Sequence, residues 1–165
     1  MNHLYTEAGV KKKDDMMSIV KRTLMIMVII VGVFTMLFGG LFSILGVAAV
    51  AFMVFLFPRL NVEYEYVFVD GQIDFDRITG KAKRKTMLRV DMEQVEIVAP
   101  EGSHALDGYT YVQSEKKDFT SGDKTKKPFI IVAQVEDKKY KIAFEPTEKM
   151  LAMMKQKSPR KIAQY

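Results

Sequence analysis

The longest apolar stretch of the chain runs from Leu24 to Phe57 and contains no charged side chain. Lys21 and Arg22 precede this stretch, and Arg59 follows it. A helix needs about 20 apolar residues to cross a bilayer, so the pattern predicts a membrane segment. One helix over the whole stretch would reach roughly 50 Å, well beyond a hydrocarbon core of about 30 Å. The stretch is therefore too long for a single ordinary span.

A pair of glycines, Gly39 and Gly40, interrupts the apolar stretch near its middle. Glycine is the residue best suited to reversing a chain, so the segment 21–58 is predicted to be a helical hairpin with helices at 21–38 and 41–57. Positive charge lies at both open ends of this hairpin and none lies at its turn. The positive-inside rule then predicts a cell-membrane protein with two spans and both termini in the cytoplasm.

Residues 1–20 form a cytoplasmic leader in this interpretation. The first ten residues have mixed composition and little periodicity, so we expect them to be mobile. Residues 11–22 mix basic side chains with methionine, isoleucine and valine, which is compatible either with an amphipathic turn at the headgroups or with a solvated leader.

Beyond Pro58 the hydrophobic pattern changes from helical to alternating. Short apolar runs separated by turn residues predict seven strands, at 62–69, 72–77, 82–90, 94–99, 109–113, 129–135 and 140–144. Thr147 then opens a helix that ends before Pro159. We therefore predict an α+β chain in which the hairpin precedes an antiparallel β barrel or sandwich with a C-terminal helix, residues 60–157, followed by a tail at 158–165.

Alternating aromatic side chains indicate which strand faces are buried. Tyr64, Tyr66, Phe68 and Phe75 recur at the spacing of a core face, and Tyr109 and Tyr111 show the same spacing. The predicted helix adds an apolar face formed by its methionines and one leucine, namely Met150, Leu151, Met153 and Met154.

Composition excludes several function classes. The chain has no cysteine, which excludes disulfides, thiol catalysis and thiolate metal sites. Residues 61–165 carry 19 basic and 17 acidic side chains, unlike the strongly basic domain of a nucleic-acid binder. His3 and His104 have no metal-ligand spacing, and no glycine-rich loop precedes a helix as in phosphate-cradling sites. We therefore expect no cofactor, no metal and no nucleic-acid partner.

The order of elements resembles the pleckstrin-homology superfold, and the membrane hairpin before it resembles bacterial membrane proteins with pleckstrin-homology-like domains. Over residues 20–157 the chain is most similar to a family of small Firmicutes membrane proteins of unknown function. The residues that carry the similarity are 62–66, Asp70-Gly71 through Ile73-Asp74 to the basic run 81–85, then 96–100, and 144–146. The resemblance implies fold and location. In phosphoinositide-binding members of the superfold, basic residues flank the loop between the first two strands. Here that loop is Asp70-Gly71-Gln72, which is short and acidic, so no phosphoinositide site is carried over from the resemblance.

The most pronounced local cluster of charge lies at the second predicted turn and in the third predicted strand. It consists of Lys81, Lys83, Arg84, Lys85 and Arg89. One interpretation is a patch that binds anionic phospholipid headgroups or a protein partner. The alternative is a charged edge strand that prevents pairing with other chains. The lysine-rich loop at 116–127 is a second candidate, and its interleaved aspartates favour a solvated loop.

Four acidic residues, Glu63, Glu65, Asp74 and Asp76, lie on neighbouring predicted strands. Paired carboxylates serve in hydrolysis and cation binding. Their alternating placement instead favours one polar face, with Lys83 and Lys85 as cross-strand partners.

The pattern as a whole favours a non-enzymatic binding or scaffold module, anchored at the inner face of the cell membrane, that recruits a protein partner or anionic lipid. One alternative is a structural subunit that packs with itself or with other membrane proteins through small residues of the hairpin. A second alternative is an enzyme acting on lipid or envelope precursors, which rests on the acidic residues alone.

Overall fold

The computed structural model describes residues 4–163, which divide into two compact units. The hairpin unit comprises residues 13–62 and 79–83, and the β unit comprises the remaining described residues. The helices are α1 (Met16–Met36), α2 (Gly40–Leu56) and α3 (Glu148–Lys157). The strands are β1 (Tyr5–Lys11), β2 (Val62–Val69), β3 (Gln72–Thr79), β4 (Lys83–Asp91), β5 (Val95–Pro100), β6 (Glu115–Asp118), β7 (Phe129–Val135) and β8 (Lys138–Phe144).

Two apolar helices form the hairpin unit, and each is long and apolar enough to cross a membrane. The first helix begins at Met16 rather than at Lys21, because the Asp15 side chain caps it by accepting a hydrogen bond from the Met16 N–H. Gly39 and Gly40 both have positive φ angles, 69° and 57°, which a residue with a side chain rarely adopts. A short 3-10 helix, Phe57–Leu60, extends α2.

The helices of the hairpin approach each other closely at two glycines. A Cβ on Gly46 would lie 2.5 Å from the Gly32 carbonyl oxygen and 2.5 Å from Thr35 Oγ1. A Cβ on Gly32 would lie 2.9 Å from a methyl group of Val50. The small residues at this contact therefore set the separation of α1 and α2.

The first sheet has the strand order β1-β2-β3-β4. Its first strand is a correction to the sequence analysis, which expected the first ten residues to be mobile: Tyr5–Lys11 pairs antiparallel with β2, from Tyr5 opposite Val69 to Lys11 opposite Glu63. Thr6 and Ala8 point inward and are 4% and 8% exposed. Residues 1–3 of the expected mobile segment lie outside the described part of the chain.

The second sheet has the strand order β5-β7-β8-β6, in which β6 runs parallel to β8 and the other pairs are antiparallel. The strand predicted at 109–113 is wrong. A 3-10 helix occupies His104–Tyr109, and Tyr111, which the aromatic spacing assigned to the core, is 98% exposed. The strand lies instead at Glu115–Asp118, which overlaps the lysine-rich segment 116–127 that was predicted to be a solvated loop.

The core of the β unit lies between the inner faces of the two sheets and α3. Tyr66, Phe68 and Phe75 are fully buried, as the alternation predicts. Met150 and Met154 bring the apolar face of α3 into the same cluster. Past α3, Ile162 forms a parallel bridge with Val98, and the Ala163 N–H donates to the Val98 carbonyl oxygen at 2.8 Å. The end of the described chain is thereby fastened to the outer edge of β5.

Candidate functional site

Lys81 lies in the turn between β3 and β4, and Lys83 is the first residue of β4; both of these predicted site residues belong to the hairpin unit. The Gly80 N–H donates to the Asn61 carbonyl oxygen at 2.9 Å, and the Pro58 carbonyl oxygen lies 3.3 Å from the position of a Cβ on Gly80. Asn61 directly follows the 3-10 helix that extends α2. The turn is thus fixed at the open end of the hairpin, and Lys81 on it and Lys83 directly after it are both exposed.

Further basic groups gather at the same end of the hairpin unit. Arg22 donates to Asp14 Oδ2 at 2.5 Å and to Asn61 Oδ1 at 2.9 Å, which links the start of α1 to the end of α2. The Arg59 guanidinium lies 4.3 Å from the centre of the Phe55 ring. Asn61 thus accepts hydrogen bonds from Arg22 on α1 and from Gly80 in the turn that precedes Lys83.

We call the basic side chains at this end the cationic collar: Lys13, Lys21, Arg22, Arg59, Lys81 and Lys83. Within the hairpin unit only two acidic side chains, Asp14 and Asp15, oppose them. The sequence showed each of these charges. It did not show the role of Asn61, because the hydrogen bond to that residue depends on a turn almost twenty residues later in the chain.

The other members of the predicted cluster, Arg84, Lys85 and Arg89, belong to the β unit. Arg89 Nε and Nη2 donate to the two carboxylate oxygens of Asp74, both at 2.8 Å. This pairing holds the pKa of Asp74 below its usual range. Arg84 donates to Asp76 Oδ2 at 2.6 Å and also forms an ion pair with Glu65.

Glu65, Asp74 and Asp76 are thus engaged by arginines rather than by Lys83 and Lys85, the partners that the sequence analysis expected. Asp76 is 6% exposed, and its proximity raises the pKa of Arg84. Lys85 is exposed and forms no ion pair within residues 4–163. The predicted cluster therefore consists of collar lysines, arginines that neutralise buried or half-buried carboxylates, and one solvated lysine.

His104, one of the two histidines of the chain, lies in the 3-10 helix that follows β5. The described residues contain no group of three or more histidine, cysteine, aspartate or glutamate side chains that could hold a metal. Ser103 Oγ accepts a hydrogen bond from the Ala105 N–H and caps the 3-10 helix, while His104 and Asp107 form an exposed pair at 3.1 Å. His3 lies outside the described residues.

A second polar arrangement, inside the β unit, was not visible in the sequence. The Tyr66 hydroxyl donates to the Phe119 carbonyl oxygen at 2.5 Å and accepts from the Glu145 N–H at 3.4 Å. Glu145 Oε1 accepts from the Ser121 N–H and hydroxyl, at 2.8 and 2.6 Å, and Oε2 lies 3.3 Å from Lys126 Nζ. Burial raises the pKa of Tyr66. These contacts fasten the loop after β6 to the core.

Comparison with curated proteins and with solved structures gave no significant match. A family model described as "Bacterial PH-like domain (DUF6106)" matches residues 2–164. Two apolar helices, two four-stranded sheets and a C-terminal helix agree with that description and confirm the resemblance to bacterial membrane proteins with pleckstrin-homology-like domains. The chain belongs to the bacterial PH-like domain family.

Proposed function

We propose that the protein is a non-enzymatic, membrane-anchored binding module whose hairpin crosses the cell membrane twice and whose cationic collar contacts anionic headgroups at the cytoplasmic face. The hairpin exposes large apolar side chains on both helices, such as Leu24 at 63%, Leu41 at 70% and Phe55 at 63%. Apolar surface of this extent is stable in lipid and costly in water.

The observation that carries the proposal is the hydrogen bond from Gly80 to Asn61. It holds the lysine-bearing turn close to the point where the second apolar helix ends, which is the depth of the headgroups when the helix spans a bilayer. Six basic and two acidic side chains then lie at one end of the hairpin, and the Gly39-Gly40 end has none. This asymmetry supports a topology with both termini and the β unit in the cytoplasm.

Electrostatics supports a preference for anionic lipid. Each lysine or arginine near an anionic leaflet contributes about 1 kcal/mol, within a Debye length of roughly 8 Å at physiological salt. The collar has an excess of four positive charges in the hairpin unit, so it favours anionic over zwitterionic neighbours. The β unit would then be the part that recruits a protein partner.

The proposed alternatives have less support. An enzyme acting on lipid or envelope precursors would use the acidic residues of the first sheet, yet Asp74 and Asp76 are engaged by Arg89 and Arg84. An assembly subunit would use small residues of the hairpin for contacts between chains, yet Gly32 and Gly46 form the contact between α1 and α2 of one chain.

The full chain in lipid nanodiscs tests the lipid preference. Native mass spectrometry would measure the ratio of anionic to zwitterionic lipid that the protein retains from a mixed bilayer. Changing Lys81→Gln and Lys83→Gln together should lower this ratio. The matched control, Lys124→Gln with Lys149→Gln, removes two exposed lysines of the β unit and should leave it unchanged. An unchanged ratio in the collar variant would remove the lipid part of the proposal.

A further inference from the structure

A cavity of about 420 Å³ lies on the outer face of the second sheet, entirely within the β unit. Its floor is formed by β7 and β8, its side by β6, and its cover by the 3-10 helix at His104–Tyr109 and the residue that follows. This volume lies in the range of small-molecule sites.

The strand register explains which side chains line the cavity. Ile130 lies opposite Ala143, and Val132 lies opposite Lys141, so alternate residues of β7 and β8 share the outer face. Leu106 approaches from the cover. Leu106, Ile130 and Ala143 are half-buried, so each leaves apolar surface exposed in the cavity, and Val132 is fully buried beneath them. The cavity therefore has an apolar wall.

Two lysines line the other side of the cavity. Lys116 on β6 lies directly opposite Lys141 on β8, and both side chains line the cavity. Like charges in directly opposite positions of a sheet destabilise it. Lys141 Nζ donates to the Thr110 carbonyl oxygen at a long 3.4 Å, and within residues 4–163 neither lysine forms an ion pair.

The remaining charged groups of the lining do not neutralise these two lysines. Lys117 is paired with Glu115 at 2.6 Å. Asp118 Oδ1 accepts from the Thr120 N–H at 2.9 Å and from its hydroxyl at 2.7 Å. Glu101 also lines the cavity, and no ion pair joins it to Lys116 or Lys141 in the described part of the chain.

We infer that this cavity binds an anionic amphiphile: a carboxylate or phosphate group held between Lys116 and Lys141, with an apolar body against Leu106, Ile130 and Ala143. A charged group placed between the lysines removes their mutual repulsion and accepts charge-assisted hydrogen bonds from both. The apolar wall favours a ligand with a hydrocarbon part over a bare inorganic anion. This site is separate from the collar and does not depend on the proposed membrane topology.

Methyl NMR of the full chain in zwitterionic nanodiscs tests the inference, with Ile130, Val132 and Ala143 as reporters. Hexanoate and hexyl phosphate are the probes, and hexanol and inorganic phosphate are the matched compounds that lack the charge or the apolar body. We expect saturable shifts with both probes and much weaker binding of both matched compounds. Absence of saturable shifts with both soluble probes and with anionic phospholipid alike, or equal affinity for hexyl phosphate and inorganic phosphate, would overturn the inference.

Variants separate the two parts of the site. Lys116→Gln with Lys141→Gln should weaken binding about tenfold or more, since each removes a charge-assisted hydrogen bond, whereas Lys124→Gln should leave it unchanged. Ala143→Leu keeps both lysines and fills the cavity, so it should abolish the shifts at Ile130 and Val132. Equal affinity in the double lysine variant would refute the anion-binding role.

A further arm identifies the source of the ligand. Anionic phospholipid is added to the nanodisc, with no soluble probe present. Shifts of the same methyl groups would show that the bilayer supplies the amphiphile. Shifts that arise with the soluble probes alone would show that the ligand comes from solution. Both results support the site, and the absence of shifts in both arms contradicts it.

Discussion

Replacing Tyr66 with phenylalanine tests how much the hydrogen bonds of its hydroxyl contribute to the stability of the β unit. Tyr66 is fully buried, donates to the Phe119 carbonyl oxygen and accepts from the Glu145 N–H. Tyr66→Phe keeps the ring and removes both hydrogen bonds, which leaves the carbonyl of the buried Phe119 and the N–H of the half-buried Glu145 without that partner. An unsatisfied buried polar group costs about 1–3 kcal/mol, so we expect a loss of about 2 kcal/mol in the free energy of unfolding.

Tyr64→Phe is the matched control. Tyr64 lies two residues away on the same face of β2, and its ring packs edge-on against Phe119 with 5.5 Å between centroids. Within residues 4–163 no hydrogen bond to its hydroxyl is formed, so its replacement should change the free energy of unfolding by less than about 0.5 kcal/mol. The two variants undergo the same chemical change, and of the two only Tyr66→Phe removes hydrogen bonds formed within residues 4–163.

Thermal unfolding of the full chain in nanodiscs, followed by near-ultraviolet circular dichroism of the tyrosines, measures the difference. For a domain of this size, 2 kcal/mol corresponds to a decrease of roughly 8–16 °C in the melting temperature. Equal melting temperatures for the two variants would refute the assignment of Tyr66 as the residue that fastens the loop after β6.

Three further predictions concern the hairpin and the ionisable groups. Gly46→Val should separate α1 from α2, because a Cβ there would lie 2.5 Å from a carbonyl oxygen, whereas Ala48→Val at an exposed position should not; spin-label distances across the hairpin measure this. Asp74 has a lowered pKa, so it stabilises the folded state above about pH 4, and this contribution is lost as the pH falls. In Asp74→Asn the free energy of unfolding should therefore decrease less steeply at acidic pH, as measured by unfolding at a series of pH values. Tyr66 has a raised pKa, so its neutral form stabilises the fold below about pH 10 and this contribution is lost at higher pH; absorbance titration should show its phenol ionising only as the β unit unfolds.

Much of the fold can be predicted from hydrophobic patterns within single segments of the chain. The alternating aromatics of β2 and β3 and the branched residues of β7 predict buried strands because strand faces repeat every two residues. The methionine spacing of α3 predicts a helix with one buried face, and Met150 and Met154 lie in the core.

Elements whose side chains are small or charged could not be predicted in the same way. Tyr5–Lys11 buries Thr6 and Ala8, which are too small and too polar to give a strong alternating pattern. Glu115–Asp118 is an edge strand of charged residues, a composition that is typical of sheet edges and also of loops. Tyr109 and Tyr111 have strand-like spacing, but capping by Ser103 directs the chain into a 3-10 helix there.

The candidate sites show the same limit. Lys81 and Lys83 were evident as charges, but their placement depends on a hydrogen bond between Gly80 and Asn61 that no local pattern encodes. Lys116 lies opposite Lys141 because of the register between the parallel strands β6 and β8, which are far apart in sequence.

Site-specific labelling with a membrane-impermeant maleimide in intact cells tests the central proposal most directly, since the chain has no cysteine of its own. Single cysteines would replace Lys12, Phe38 at the exposed hairpin turn, and Lys124 in the β unit. We predict labelling at position 38 alone, which places the turn outside and both open ends with the β unit in the cytoplasm. Labelling at position 124 in intact cells would contradict the proposed topology and the cytoplasmic collar together.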